Sequence, residues 1–338
     1  MIRFILGLVL GAAAVGGYFV SQNFKSVAPS ALASPESTAA VAAMMETISP
    51  HFSTMVTGDV AEQRAMLDEY LYGPFIEEAR ELYPVHEEPL EINGVYTEVF
   101  TPRAGIPPEN TERVLINLHG GGFTFGARTE GQLESIPVAS VAQMKVISVD
   151  YRQGPEHKFP AASEDVAKVY KELLKTHQPG QIGIFGCSAG GLLTAQSVAW
   201  FQAHDIPQPG AVGVFCSGAG EFMVGDSIPI STVLNTTLGD DDSMPYFEGA
   251  SWDDPLVAPV NHPAVMAAFP PTLVISSTRD MALSSALAAH QRLISAGVES
   301  ELHIYEGLMH YFFMATDVPE SRQVFELTAR FFDRHLAH

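Results

Sequence analysis

From about residue 90 onward, short apolar runs alternate with longer stretches of helical spacing, and this alternation constrains the fold most. The runs with strand character lie at residues 114–118, 145–149, 182–185, 212–215, 273–276 and 302–305. Helical stretches separate most of them, at residues 162–175, 189–203, 282–296 and 320–335. Strands that are apolar at nearly every position are typical of burial on both faces, and strand–helix alternation is typical of a mostly parallel sheet. The sequence therefore predicts an α/β fold.

The N-terminal third predicts helices followed by the start of the sheet. Residues 34–88 carry apolar side chains at helical spacing, which indicates helices that pack on the main domain or cover it as a lid. Asn93 and Gly94 lie between alternating apolar residues and predict a hairpin turn, so the main domain is assigned to residues 89–338. Within it, residues 219–268 are rich in Pro, Gly, Asp and Ser and too long for an ordinary connection, which predicts a second lid segment.

The first residues resemble a targeting signal. Residues 4–20 are uncharged and largely apolar, with Arg3 before them and Lys25 after them. This pattern predicts a signal peptide or a membrane anchor within residues 1–33, and hence a protein that is exported to the periplasm, secreted or held at a membrane. A small-x-small site at residues 31–33 lies farther from the apolar run than signal peptidases usually prefer, so the sequence leaves cleavage open.

Charge and cysteine content exclude two classes of protein. With 18 basic and 39 acidic residues the formal net charge is -21, so nucleic acid would be repelled. Cys187 and Cys216 are the two cysteines, which is too few for a multi-cysteine metal site or a disulfide-stapled fold. Each follows one of two consecutive predicted strands, so they are expected to be neighbours, either as free thiols or as one disulfide.

Residues 186–191 form a glycine-rich turn between a predicted strand and a predicted helix, with the sequence Gly-Cys-Ser-Ala-Gly-Gly. A sharp strand-to-helix turn holds its central serine in a strained backbone with the hydroxyl exposed, and small residues two positions away relieve the crowding. The helix N-terminus behind the turn also favours developing negative charge. Ser188 is therefore the predicted nucleophile.

A second glycine-rich loop, His-Gly-Gly-Gly-Phe at residues 119–123, follows the strand predicted at residues 114–118. Consecutive glycines expose backbone N–H groups that no side chain blocks, as an oxyanion hole requires. The predicted donors are the N–H groups of Gly121, Gly122 and Ala189. A phosphate-binding loop is the competing interpretation, but it would need a following Lys-Ser/Thr pair, which is absent from this sequence. His119 is interpreted as an anchor of the loop.

These two motifs, in this order, resemble those of the hormone-sensitive lipase family of α/β-hydrolase esterases. A third stretch at residues 150–162, which includes Asp150, Glu156 and His157, is similar to a structural segment that braces the sheet in that family. The resemblance implies an α/β-hydrolase fold with an eight-stranded, mostly parallel sheet and a helical lid. Two departures stand out: the family commonly has an acidic residue where this chain has Cys187, and Gln153-Gly154 replaces a Leu-Ala pair.

The remaining members of a catalytic triad are expected in loops after late strands, first the acid and then the base. Asp280 directly follows the run at residues 273–279. A short loop separates His310 from the strand predicted at residues 302–305. Both also match the family's acid and base. The rival side chains are less well placed because they lie inside a strand or before the seventh strand: His303, His262, Asp253 and Asp254.

The predicted chemistry is acyl transfer, in which His310 takes the proton of Ser188 and Asp280 orients the imidazole. The resemblance implies a carboxylic ester hydrolase for short to medium acyl esters, without metal or organic cofactor. Amide or lactone hydrolysis and a non-catalytic small-molecule receptor on the same scaffold stay open as alternatives. Aromatic side chains are candidates for substrate contact, namely Phe123, Tyr246 and Tyr311, with Phe247 and Trp252 as further lid aromatics.

Overall fold

A computed structural model describes residues 28–222, 224–233 and 244–337 of the chain. The apolar segment at residues 4–20, on which the predictions of export and membrane association depend, lies outside these residues. Within the described part, no helix combines the length and the apolar character needed to cross a membrane.

Eight strands of the described residues form one sheet in the order β1-β2-β4-β3-β5-β6-β7-β8. Strands β1 and β2 form the antiparallel hairpin predicted at Asn93 and Gly94, β2 is antiparallel to β4, and the other neighbours are parallel. This arrangement confirms the predicted fold class. The strands are β1 Val85–Ile92, β2 Val95–Pro102, β3 Val114–Leu118, β4 Lys145–Val149, β5 Ile182–Cys187, β6 Ala211–Phe215, β7 Thr272–Arg279 and β8 Ser300–Met309.

Helices cover both faces of the sheet because its strands bury side chains on both. In β3, for example, Ile116 and Leu118 belong to the core layer under one group of helices, and Leu115 belongs to the opposite layer. The α-helices are α1 Pro35–Ile48, α2 Phe52–Thr57, α3 Val60–Met66, α4 Gly73–Leu82, α5 Glu130–Ala142, α6 Ala161–Leu173, α7 Ala189–Ala203, α8 Ser227–Val233, α9 Pro263–Met266, α10 Leu283–Ser295 and α11 Pro319–His335. Helices α6, α7 and α10 lie on the first face, and α5 and α11 lie on the second.

Three details differ from the sequence-based expectations. The sheet begins at Val85, ahead of the expected boundary at residue 89. Strand β8 continues to Met309, so His310 follows the strand directly and the expected intervening loop is part of the strand. Helix α5 went unpredicted because its polar residues are buried along with its apolar ones, which leaves no polar face to produce helical periodicity.

The N-terminal segment contacts the main domain at two places. The hydroxyls of Ser34 and Ser37 each donate a hydrogen bond of 2.7 Å to the Glu320 carboxylate at the start of α11. From α3, Arg64 forms an ion pair with Glu156 and donates to the backbone oxygen of Thr124 at 2.8 Å. These contacts support the packing role predicted for residues 34–88. In the second predicted lid segment, 219–268, residues 223 and 234–243 lie outside the described part.

Candidate active site

The backbone at Ser188 has the strain expected of a nucleophile. Between β5 and α7, Ser188 has φ 56° and ψ -122°, a combination that non-glycine residues rarely adopt. The flanking glycines are required by close packing, since a Cβ on Gly186 or Gly190 would lie 2.0 or 1.7 Å from the backbone oxygen of Leu118. The Ser188 N–H donates to the oxygen of Phe215 at 2.8 Å, which ties the turn to β6.

The three predicted triad members form one hydrogen-bonded chain. The Nδ1–H of His310 donates to Asp280 Oδ1 at 2.7 Å, which leaves Nε2 to accept from the Ser188 hydroxyl at 2.8 Å. The three residues follow β5, β7 and β8, whose carboxyl ends meet at one edge of the parallel sheet. The structure therefore places Ser188, His310 and Asp280 together, although Asp280 lies 92 positions after Ser188 in the sequence (280 − 188).

The pKa values of the acid and the base are shifted in opposite directions. Burial by itself would raise the pKa of Asp280, but the charge of His310 and hydrogen bonds from His310, Ala282 and Ser276 outweigh it and hold the pKa below its usual value. Burial would lower the pKa of His310, whereas the charge and hydrogen bond of Asp280, together with the charge of Glu130, raise it. The site therefore stabilises the imidazolium that forms when His310 takes a proton.

The glycine loop packs beside the nucleophile turn, since a Cβ on Gly120 would lie 3.0 Å from the backbone oxygen of Cys187. Gly121 and Gly122 have φ of 83° and 60°, and both are partly exposed. Among the described residues, no backbone acceptor takes either of their N–H groups, and Ala189 is the first residue of α7, whose N–H has no partner within the helix. His119 is buried and stacks on Tyr151 at a centroid distance of 4.2 Å, and burial lowers its pKa to about 4. These contacts support its predicted role as an anchor.

A sequence profile described as alpha/beta hydrolase fold matches residues 115–314, more than half of the chain. The chain belongs to the α/β-hydrolase fold family. The motifs that suggested a resemblance to the hormone-sensitive lipase esterases lie largely inside the matched span, and that resemblance is confirmed.

Curated relatives of this α/β-hydrolase include named hydrolases. It is 28% identical to esterase LipU of Mycobacterium tuberculosis over 248 residues, and the matched region covers 64% of this chain and 76% of the relative. It is 26% identical to an acetyl-hydrolase of Streptomyces hygroscopicus over 231 residues, and the matched region covers 67% of this chain and 77% of the relative.

Solved structures agree with the fold of this α/β-hydrolase. Esterase E25 superposes with a TM-score of 0.80 at 29% identity, covering 93% of this chain and 98% of that one. An esterase from the bacterial hormone-sensitive lipase family has a TM-score of 0.77 at 24% identity and covers 90% and 99%. At the lower identity the comparison shows the shared fold.

The two cysteines of the α/β-hydrolase are neighbours, as predicted, and both are free and fully buried. Burial raises the pKa of each thiol, and the two thiols hydrogen-bond to each other. Cys187 therefore contributes an uncharged side chain directly before the nucleophile.

Two groups of side chains in the described residues bring potential metal ligands together. Cys216, Asp280 and His310 have ligand atoms within 4.8 Å of one another, but the acid and the base hydrogen-bond to each other and burial raises the pKa of the thiol. The second group lies nearer the surface and consists of Glu299, Glu301 and His335. Arg334 donates to Glu301 there, which opposes cation binding.

The predicted substrate-contact aromatics are placed differently from expectation. Phe123 and Tyr246 are fully buried and stack on each other at 4.7 Å, so they support the glycine loop from behind and expose no surface to a substrate. The Tyr246 hydroxyl accepts from the N–H of Ala162 at 2.9 Å. Tyr311 is only 7% exposed, and its hydroxyl donates to the backbone oxygen of Glu130 at 3.4 Å. The sequence-based assignment of these rings to substrate contact is therefore wrong for Phe123 and Tyr246, because both rings are completely buried against other side chains.

The rival acids and bases lie outside the hydrogen-bonded chain of the triad. His303 lies within β8 beside Glu301, and the Nε2–H of His262 donates to the backbone oxygen of Asp253. Sequence reasoning missed Ser276, which donates to Asp280 at 2.8 Å, and the buried Glu130. The available signal was the position of Ser276 on strand β7, four residues before the acid that follows this strand.

Proposed function

We propose that this α/β-hydrolase cleaves carboxylic esters through an acyl-enzyme on Ser188. The observation that carries the proposal is the unbroken chain of hydrogen bonds from the Ser188 hydroxyl through His310 to Asp280. The relatives named as esterases support the choice of ester as the substrate class. The complete triad removes the basis for the alternative of a non-catalytic receptor.

In the acylation step, His310 Nε2 takes the hydroxyl proton while Ser188 Oγ attacks the ester carbonyl. Asp280 accepts from Nδ1, so it fixes the tautomer and stabilises the imidazolium. The imidazolium then gives its proton to the leaving alkoxide, and the acyl group stays on Ser188. In deacylation, His310 activates a water that releases the carboxylic acid and regenerates the serine.

The oxyanion of the tetrahedral intermediate is assigned to the N–H groups of Gly121, Gly122 and Ala189. Support comes from the absence of a competing backbone acceptor for the two glycines within the described residues and from the position of Ala189 at the start of α7. Loss of one such donor typically costs about 10²- to 10³-fold in rate. Short to medium acyl esters are the proposed substrates.

A chromogenic assay with p-nitrophenyl esters of increasing acyl length tests the function. The wild type is expected to release p-nitrophenol, and Ser188→Ala is expected to lose about 10⁶-fold in kcat. A fluorophosphonate probe should label the wild type and leave the variant unlabelled. Ser163→Ala is the matched control, because it removes another buried serine hydroxyl outside the triad. Equal activity of wild type and Ser188→Ala would refute the mechanism.

We further propose that residues 4–20 direct export or anchor the protein at a membrane, and that segments 34–88 and 219–268 form a lid over the site. The uncharged apolar run between Arg3 and Lys25 supports the first point. Mass spectrometry of the mature N-terminus after fractionation of the native host tests it: a cytoplasmic protein that retains Met1 would contradict export.

A further inference from the structure

A carboxylate that the triad does not use lies beneath the glycine loop. Glu130 is the first residue of α5 and is 2% exposed. A Cβ placed on Gly120 would lie 2.2 Å from its Oε1, and a Cβ on Gly126 would lie 2.6 Å from its Oε2. The loop therefore closes around this carboxyl group only because both positions are glycine. The Tyr72 hydroxyl donates to Oε2 at 3.2 Å.

Glu130 lies beside the catalytic turn and the catalytic base. The position of a Gly120 Cβ, 2.2 Å from Glu130 Oε1, is 3.0 Å from the backbone oxygen of Cys187, and Tyr311, next to His310, donates to the backbone oxygen of Glu130 at 3.4 Å. Burial by itself lowers the pKa of His310. The charge and hydrogen bond of Asp280 raise this pKa, and the charge of Glu130 raises it further. Reciprocally, burial raises the pKa of Glu130 to about 7, against smaller lowering effects of Tyr72 and His310. Glu130 therefore exchanges its proton in the pH range in which His310 has to be a neutral base.

Other titratable groups face Glu130, and burial shifts the pKa of each of them in the direction of its uncharged form. Burial raises the pKa of the phenols and of the Cys187 thiol well above their usual values, raises the pKa of Glu134 in the same way, and lowers that of His119. These groups come from every element packed around Glu130: Tyr72, Asp68 beside Tyr72, His119, Glu134, Tyr151, Cys187 and Tyr311. Glu130 and His310 are the acid and base whose opposite charges stabilise each other.

We propose that Glu130 is a positioning residue that acts through His310, as a second buried carboxylate that stabilises the imidazolium formed in each half of the reaction. The inference rests on the proposed esterase function, in which the imidazolium is an obligatory intermediate. Asp280 binds Nδ1 directly, whereas Glu130 contributes charge from the side of the glycine loop. Both carboxylates thus favour the protonated base, and Glu130 does so only while it is ionised.

The sign of the pH dependence follows from this coupling. When pH falls through the range in which Glu130 takes a proton, the stabilisation of the imidazolium is lost and acylation slows. Glu130→Gln removes the charge and keeps the shape and the bond to Tyr72. Without that charge the pKa of His310 falls, so the acid limb of kcat/KM moves to lower pH by about one unit, while the plateau drops by about three- to tenfold, since one pKa unit is a tenfold change in stabilisation.

The test measures kcat/KM for p-nitrophenyl acetate between pH 5 and 9 on the full chain. Glu134→Gln is the matched control: it removes a buried carboxyl one helical turn further along α5, and burial keeps that carboxyl protonated well above the usual pKa of Glu. Its acid limb is expected to coincide with that of the wild type. An acid limb of Glu130→Gln that coincides with the wild type would overturn the proposal.

Two further measurements keep the inference testable. Tyr72→Phe deletes the hydrogen bond that lowers the pKa of Glu130, so its rate should begin to fall at higher pH than that of the wild type, opposite to Glu130→Gln. NMR titration of ¹⁵N-histidine-labelled protein, with His310 assigned through His310→Gln, reads the pKa of His310 without turnover. A lower His310 pKa in Glu130→Gln supports the inference even if esters prove to be the wrong substrate, and an unchanged one refutes it.

Discussion

Replacing Gly190 by alanine tests how the strand packing creates the nucleophile. Gly190 is the second residue of α7, two positions after Ser188, and the added Cβ would lie 1.7 Å from the backbone oxygen and 2.6 Å from the carbonyl carbon of Leu118. These atoms belong to the end of β3, which is hydrogen-bonded to β4 and β5. No side-chain rotation can relieve such a contact, so the elbow and the glycine loop have to separate.

The size of the effect follows from the displacement. Ordinary Cβ contacts begin near 3.4 Å, so the two backbones have to separate by more than 1 Å. Overpacking of a rigid core typically costs about 1–3 kcal/mol, and a backbone contact lies at the upper end. A misplacement of about 1 Å at a catalytic site costs about 10²-fold in rate. Gly190→Ala is therefore expected to lose about 3 kcal/mol of unfolding free energy and at least about 10²-fold in kcat/KM.

The assay combines urea unfolding with p-nitrophenyl ester hydrolysis. Gly180→Ala is the matched control, because its Cβ would meet only the Cβ of Ala337, at 3.4 Å. The control should keep its activity and change the unfolding free energy by less than about 0.5 kcal/mol. A Gly190→Ala protein with the stability and activity of the control would show that the elbow does not depend on this close approach.

Two other perturbations probe the site. Asp280→Asn should lower kcat by about 10⁴-fold with little change in unfolding free energy, because an amide facing Nδ1 favours the wrong tautomer of His310. A kcat of the variant within tenfold of the wild-type value would contradict this role. Cys187 and Cys216 are fully buried with raised pKa values, so both thiols should react with Ellman's reagent only after denaturation in guanidinium. Rapid reaction of native protein would contradict their burial.

The sequence predicts those parts of the site that depend on local backbone. The apolar strand before Ser188 and the helix after it were both recognisable, and the positive φ at the serine follows from the turn between them. Asp280 and His310 were predictable from chain order, because parallel strands deliver their carboxyl ends to the same edge of the sheet. The end of β8 was less clear, since Glu306 and Gly307 interrupt its apolar pattern although the strand continues to Met309.

The contacts made by side chains far apart in sequence were not predictable. Phe123 and Tyr246 were expected near a substrate because aromatic residues are common in such pockets, but more than 120 residues of chain separate two rings that stack at 4.7 Å. Nothing in the periodicity of either segment indicates that the partner of each ring is the other. Helix α5 was missed for a related reason, since its buried acids remove the alternation of polar and apolar faces.

The acids of α5 also explain how the chain accommodates Cys187. The family resemblance implies an acidic residue directly before the nucleophile, and a neutral buried thiol stands there instead. Glu130 and Glu134 place two carboxyl groups beside the same turn from the opposite side, and the charge of Glu130 reaches His310. Their sequence spacing of four residues sets both on one face of α5, against the glycine loop and the end of β5. In this chain, negative charge near the base therefore comes from a helix beside the strand that carries the nucleophile, and the proton occupancy of Glu130 changes close to neutral pH.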